Sequence, residues 1–294
     1  MITLNLLRAE WLKTRKRRIN RALLAIIPAL LAVIMILVMI KAVTTPGEAL
    51  GDGMLRDAKQ LVPYPHNLRM AVSLLAEFGS LVVIVFVATS VGSEYGYDTW
   101  KGIVPRYGHR AAFLLTKWIV GLSTLLLLVA TIFAVVLPLG WVGETVLAIS
   151  ADTTTTLAPS VSVKSLAVTL LSFVFIGTFT LLATVVARSA VAGVVSGILA
   201  TTIMLLIHDL LPEIAEGTPL LAKGLAWILP VSHFSNLQHQ WAQGAPAGEA
   251  GTPMALIVGQ PVPVALNLLI GLVYIGAMLG ASVAIFSRRD MAGE

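Results

Sequence analysis

No cysteine occurs anywhere in this 294-residue chain, and charged residues make up only 12% of it. The first absence excludes disulfides, thiolate metal sites and a cysteine nucleophile. The second argues against an ordinary soluble domain, in which about 25% of residues are charged. Three chemical signatures are missing as well. There is no G-x-x-x-x-G-K-[ST], so the chain cannot cradle ATP phosphates as a P-loop does. There is no H-E-x-x-H and no G-x-S-x-G, so zinc-protease and hydrolase readings lack their motifs. No catalytic residue, no metal site and no cofactor on this chain are predicted.

What is abundant is apolar: 57% of the residues, gathered into long blocks. Six of these are predicted to span a membrane, at about 22–40, 71–92, 111–139, 165–187, 190–211 and 263–286. The formal net charge of +5 does not call for nucleic acid. Its basic residues flank apolar blocks, where anionic headgroups and the positive-inside bias account for them. The predicted fold class is an all-α integral membrane protein of one domain. Six transmembrane helices follow an amphipathic interfacial helix, and both termini are cytoplasmic.

Residues 1–21 carry seven Lys or Arg. On a helix Leu4, Leu7 and Trp11 share one face, with Leu12 further round and Arg8 interrupting the stripe. This predicts an interfacial helix, with Trp11 and the run Arg15, Lys16, Arg17, Arg18 at the headgroups. A cleaved signal peptide fits less well, since the apolar segment that follows is span-length and no A-x-A-like site follows it. Pro28 is a kink candidate in the first span. A loop at 41–70 is expected to hold a short helix around 49–61. Only Arg188 and Ser189 separate the fourth and fifth spans, which must then form an antiparallel hairpin. Pro212 is expected to stop the fifth span. Leu220–Leu229 is apolar but too short to cross, and Pro230 breaks it. Placing the N-terminus inside puts 14 of the 20 Lys and Arg on the inner side, which sets the predicted orientation.

The polar break at 93–117 is the most informative stretch. Gly96 and Gly102 bracket Tyr97, Asp98, Thr99, Trp100 and Lys101, Glu94 precedes them, and Pro105 ends any short helix. A membrane-parallel helix with an exposed Trp suits a groove on a partner protein. A solvated connector with interfacial aromatics is the alternative. Arg106, Arg110 and Lys117 are expected to hold the third span at the inner leaflet. Glu77 could face a translocation path or lie at the headgroups. His208, Asp209 and Glu213 could be metal ligands or a proton relay, or a polar helix end at the water interface. Gly193-x-x-x-Gly197 and Gly276-x-x-x-Gly280 would allow close helix approach.

In this order the motifs resemble the membrane subunits of ABC-2 type ATP-binding cassette exporters. The resemblance is carried by Leu4–Ile19 with its Ala9-Glu10-Trp11 core, and by Glu94, Gly96, Thr99, Pro105, Arg110 and Lys117 in the first inner loop. Leu220–Leu229 and the tail Phe286-Ser287-Arg288-Arg289-Asp290 complete it. The resemblance implies a permease without its own ATPase site, paired with a second permease subunit as homo- or heterodimer. Separate cytoplasmic ATPase subunits, which bind the ATP and Mg, would dock at Glu94 and Gly96–Gly102. It implies export of an amphiphilic substrate (drug, antimicrobial peptide or lipid-like molecule) across a bacterial cell membrane. Two other readings remain: a non-transporting membrane immunity or anchor protein, and an intramembrane enzyme using Glu77, His208 and Asp209.

Overall fold

The computed structural model describes residues 4–44, 62–64, 66–97, 110–147, 159–242, 257 and 262–288. Among these there are helices and no strands. They are α1 (Leu4–Lys16), α2 (Arg18–Thr44), α3 (His66–Gly96), α4 (Arg110–Thr145), α5 (Pro159–Ala187), α6 (Ala190–Gly217), α7 (Pro219–Ile228), α8 (Pro230–Leu237) and α9 (Val264–Arg288). A π-helical turn, Gln238–Ala242, continues α8. Six of the helices, α2 to α6 and α9, are long and apolar enough to cross a membrane. The chain is therefore compatible with a multi-pass membrane protein.

Each spanning candidate is longer than its apolar block, because residues at one or both ends continue the backbone hydrogen-bond ladder in water as well as in lipid. The segment expected as one basic helix breaks at Arg17, and α2 starts at Arg18. Pro212 does not stop the fifth span. It sits inside α6, which runs on to Gly217. A proline removes only its own N–H bond, and the turns on either side survive. The ending comes instead where Thr218 leaves helical geometry just before Pro219. Pro230 does separate two helices as expected: Leu229 is extended, and Pro230 opens α8 at its first position. The short helix expected around 49–61 lies outside the described residues.

The core sits between α2, α3, α4 and α5. Ile27, Leu31, Met35 and Met39 recur every four residues along α2 and are buried against Leu125, Leu128, Ile132 and Val136 of α4 and Ala71 and Leu75 of α3. Much of the remaining surface of α2 is apolar yet exposed, including Ile26, Leu30, Val33, Ile36, Leu37 and Ile40. A helix apolar all round is what lipid, not water, tolerates. Between α5 and α6, Arg188 takes a left-handed conformation (φ 52°). Ser189 then caps α6 by accepting from the Ala192 N–H. This makes the tight antiparallel hairpin.

Small residues let α3, α5 and α6 converge. A Cβ at Gly92 would overlap the backbone of Ala190, and one at Gly193 would overlap Thr184 Oγ1. At Gly197 a Cβ would stand 2.7 Å from Ile84 and 2.8 Å from Thr180 Oγ1. The first glycine pair thus packs helices within the chain. At Gly276 and Gly280 a Cβ would meet no described atom.

At the end of the bundle away from α1, a buried histidine locks α7, α8 and α9 together. His233 Nε2 donates to the Trp227 carbonyl oxygen at 3.0 Å, and Nδ1 lies 2.7 Å from Asn267 Oδ1. Asn267 Nδ2 in turn donates to the carbonyls of Val262 (3.3 Å) and Pro263 (3.2 Å). Replacing His233 by alanine should destabilise the chain by about 1–3 kcal/mol for each buried polar group left unpaired. Thermal unfolding in detergent measures this, and an unchanged midpoint would contradict the lock.

Candidate functional site

Two places in the bundle concentrate polar chemistry. The first lies at the α1 end. On α1 the buried residues are Leu6, Glu10 and Thr14, four apart and so on one face. That face puts Glu10 against the ends of α3 and α4. Lys117 Nζ, on α4, donates to Glu10 Oε2 at 2.8 Å and to Glu94 Oε1 at 3.0 Å. It also donates to the Ser90 carbonyl at 3.4 Å and stands 5.0 Å from the Phe113 ring centre. Lys117 is 3% exposed, Glu10 and Glu94 4% each. Lys13 reaches both carboxylates from the half-exposed side, at 3.0 Å to Glu10 and 3.5 Å to Glu94. Arg17 lies 3.8 Å from Glu94 and donates to the Thr89 carbonyl.

Among the described residues, three cations thus surround two carboxylates. Burial by itself lowers the proton affinity of the Lys13 ammonium. The hydrogen bond and charge of Glu10, then those of Glu94, outweigh it and hold the group above the ordinary lysine range. Its contribution to stability is therefore fully present below the unfolded-state value and lost as pH rises through the folded one.

This geometry revises two assignments. Glu94 was expected on a partner-facing surface, but its carboxylate is buried and ion-paired. Lys117 was expected at the leaflet, but its ammonium points into the protein. A buried lysine cannot be left facing apolar neighbours, so it takes the nearest carboxylates on α1 and α3. Of the other residues, Gly96 and Tyr97 are exposed at the end of α3, Tyr97 to 80%. Asp98, Thr99, Trp100, Lys101, Gly102 and Arg106 lie outside the described residues. Trp11, Arg15, Lys16 and Arg18 are exposed, and Arg110 is half-buried, donating to the Ser287 carbonyl at 3.3 Å. Sequence reasoning quoted Glu10 without giving it a role and did not single out Lys13. The usable signal was a glutamate four residues from Leu6 and Thr14 on an otherwise basic helix, and an ammonium about two turns inside an apolar one.

The second place is an open cavity of about 530 Å³ lined by α3, α5, α6 and α8 with its π-helical turn. Glu77 comes from α3 and His208 from α6, so the fold brings to one cavity two residues far apart in the chain. Phe173, Phe175, Phe179 and Phe234 give it aromatic walls. Phe175 and Phe234 are packed with ring centres 5.5 Å apart. Gln238 of the π-helical turn is hydrogen-bonded to Ser165, which joins the turn to α5 beside the cavity. Asp209 and Glu213 are exposed. Among the described residues no group of three metal-ligating side chains occurs.

The sequence matches a family described as "Protein of unknown function (DUF2705)" over residues 60–292. The chain belongs to that family. The match takes in α3 to α9, and so Glu77, Glu94, Lys117 and His208, while α1 with Glu10 and Lys13 precedes it. No curated protein matches the sequence.

Proposed function

We propose that this chain is the membrane-embedded permease half of an ATP-driven exporter of the ABC-2 type, with both termini in the cytoplasm of a bacterial cell. The observation that carries the reading is the buried cluster Glu10–Lys117–Glu94. It fastens α1 to both helices that flank residues 98–109, the stretch where an ATPase would dock. A push on that stretch then moves α1, α3 and α4 as one unit, which is what coupling through a rigid element requires.

Other features support the same reading. The exposed side of α1 carries Leu4, Trp11 and Leu12, the apolar stripe that suits the inner leaflet, while Leu6, Glu10 and Thr14 hold the protein. Exposed Arg15, Lys16 and Arg18 would meet anionic headgroups. The absence of a P-loop assigns ATP and Mg to a partner chain. A second permease subunit would complete the transporter. The enzyme alternative needs Glu77, His208 and Asp209 together, but Asp209 is not among the residues lining the cavity with the other two. An immunity or anchor protein has no evident use for a cavity of drug size.

The test is affinity purification of the tagged chain from its native membranes. A P-loop ATPase is expected in stoichiometric amount. Trp100→Ala and Tyr97→Ala should release it while the permease stays monodisperse. Glu94 is a poor probe, because its loss also breaks the buried cluster. A chain that carries no P-loop protein in its native membranes would sink the proposal.

A further inference from the structure

We propose that the cavity between α3, α5, α6 and α8 binds amphiphilic organic cations, with the Glu77 carboxylate holding an ammonium group. The inference deepens the exporter reading and rests on it for the fate of the bound molecule, though not for binding itself.

Charge comes first. Glu77 is the one carboxylate among the described residues that line the cavity, and no Lys or Arg lines it. An anionic ligand would meet repulsion and no counter-charge. Glu77 makes no hydrogen bond or ion pair with any described residue, unlike Glu10 and Glu94. Glu77 is exposed and lines the cavity, so its carboxylate is open to a ligand ammonium. The aromatic walls point the same way, since ring faces attract cations and rings also accept apolar bodies.

The hydroxyl lining adds a second observation. Ser172, Thr169 and Thr201 also line the cavity, but the hydroxyls of Ser172 and Thr201 already donate to carbonyls in their own helices. They present lone pairs rather than free donors, which again favours a donor-bearing ligand. The volume of about 530 Å³ falls in the range of about 300–1,000 Å³ usual for drug-sized sites. Phosphate-bearing lipids and anionic glycans fit none of these features.

The experiment uses the purified full chain in phosphatidylcholine nanodiscs and the cationic dye rhodamine 6G, read by fluorescence polarisation against empty nanodiscs. Saturable binding is expected. Glu77→Gln should weaken it roughly tenfold, the size expected for loss of one ligand–carboxylate ion pair. Glu77→Asp should retain most of it, and Ala200→Trp, which fills the cavity, should abolish it. Fluorescein, an anion of similar size, should not bind. Equal binding of the two dyes, no saturable rhodamine binding, or wild-type affinity in a folded Glu77→Gln chain would overturn the assignment. A folded Ala200→Trp chain that still binds would move the site elsewhere. Dye binding without an ATPase partner would count against the exporter reading alone. An ATPase partner without dye binding would count against this ligand class alone.

Discussion

Lys117→Met is expected to be among the most damaging single substitutions in the chain. It leaves Glu10 and Glu94, each 4% exposed, facing one another across the space the ammonium filled. Removing one partner of a buried ion pair costs about 3–5 kcal/mol, because the remaining charge is stranded in a poor solvent. Here two carboxylates lose their buried cation, and among the described residues the half-exposed Lys13 and Arg17 remain near them. The purified variant should melt well below wild type in detergent, or fail to appear as a monodisperse peak. The triple variant Glu10→Gln, Glu94→Gln, Lys117→Met separates charge from packing. It removes the stranded charges and should recover most of the lost stability. A single variant that melts with wild type, or a triple variant no better than the single, would refute the electrostatic account. If the exporter reading holds, the rescued triple variant should still couple poorly, since neutral amides bind α1 to α3 and α4 more weakly than the charged cluster does.

The second large effect is expected at Gly92. A methyl group there would overlap the backbone of Ala190 at the start of α6. Backbone cannot rotate away as the tip of a flexible side chain can. Overpacking of about 1–3 kcal/mol, occasionally more, is usual, and Gly92→Ala should lie at the upper end. Gly276→Ala is the matched control. Its Cβ would meet nothing, and the change should stay within about 0.5 kcal/mol or stabilise slightly through helix propensity. Equal melting of the two variants would show that α3 and α6 do not cross at Gly92 and Ala190. Gly193→Ala should behave like Gly92→Ala but more mildly, because its nearest obstacle is the hydroxyl of Thr184.

Much of the architecture follows from one-dimensional properties. Apolar length marks a spanning helix, and a two-residue connection forces a hairpin. All six blocks read from hydropathy are helices of span length, and the α5–α6 hairpin turns on Arg188 and Ser189 as their position requires. Helix ends were less legible. Arg18 at the start of α2 and Gly217 at the end of α6 lie beyond the apolar blocks, where polar side chains neither favour nor forbid another turn. The proline at 212 was a misleading stop, since a proline inside a long helix deletes one bond and leaves its neighbours intact.

The candidate sites were legible only in pieces. Glu94, Lys117, Glu77 and His208 each stand out as ionisable groups in apolar surroundings, but nothing in their spacing says which of them meet. Lys117 finds Glu10 across 107 residues, and Glu77 shares a cavity with His208 of a helix three further along the chain. Those meetings depend on how each helix is rotated about its axis and where it crosses its neighbours. The rotation is decided by packing, by Gly92, Gly193 and Gly197 letting α3, α5 and α6 close on one another, and by the 6–10–14 face of α1 turning inward while its apolar stripe turns out. The sequence by itself determined that this is a helical chain with six segments long and apolar enough to cross a membrane, and with neither a cysteine nor a P-loop motif, because hydropathy and motif are local. Only the tertiary structure decided that its polar groups form one buried ionic cluster and one acidic, aromatic cavity, because side-chain partnership is a property of helix packing.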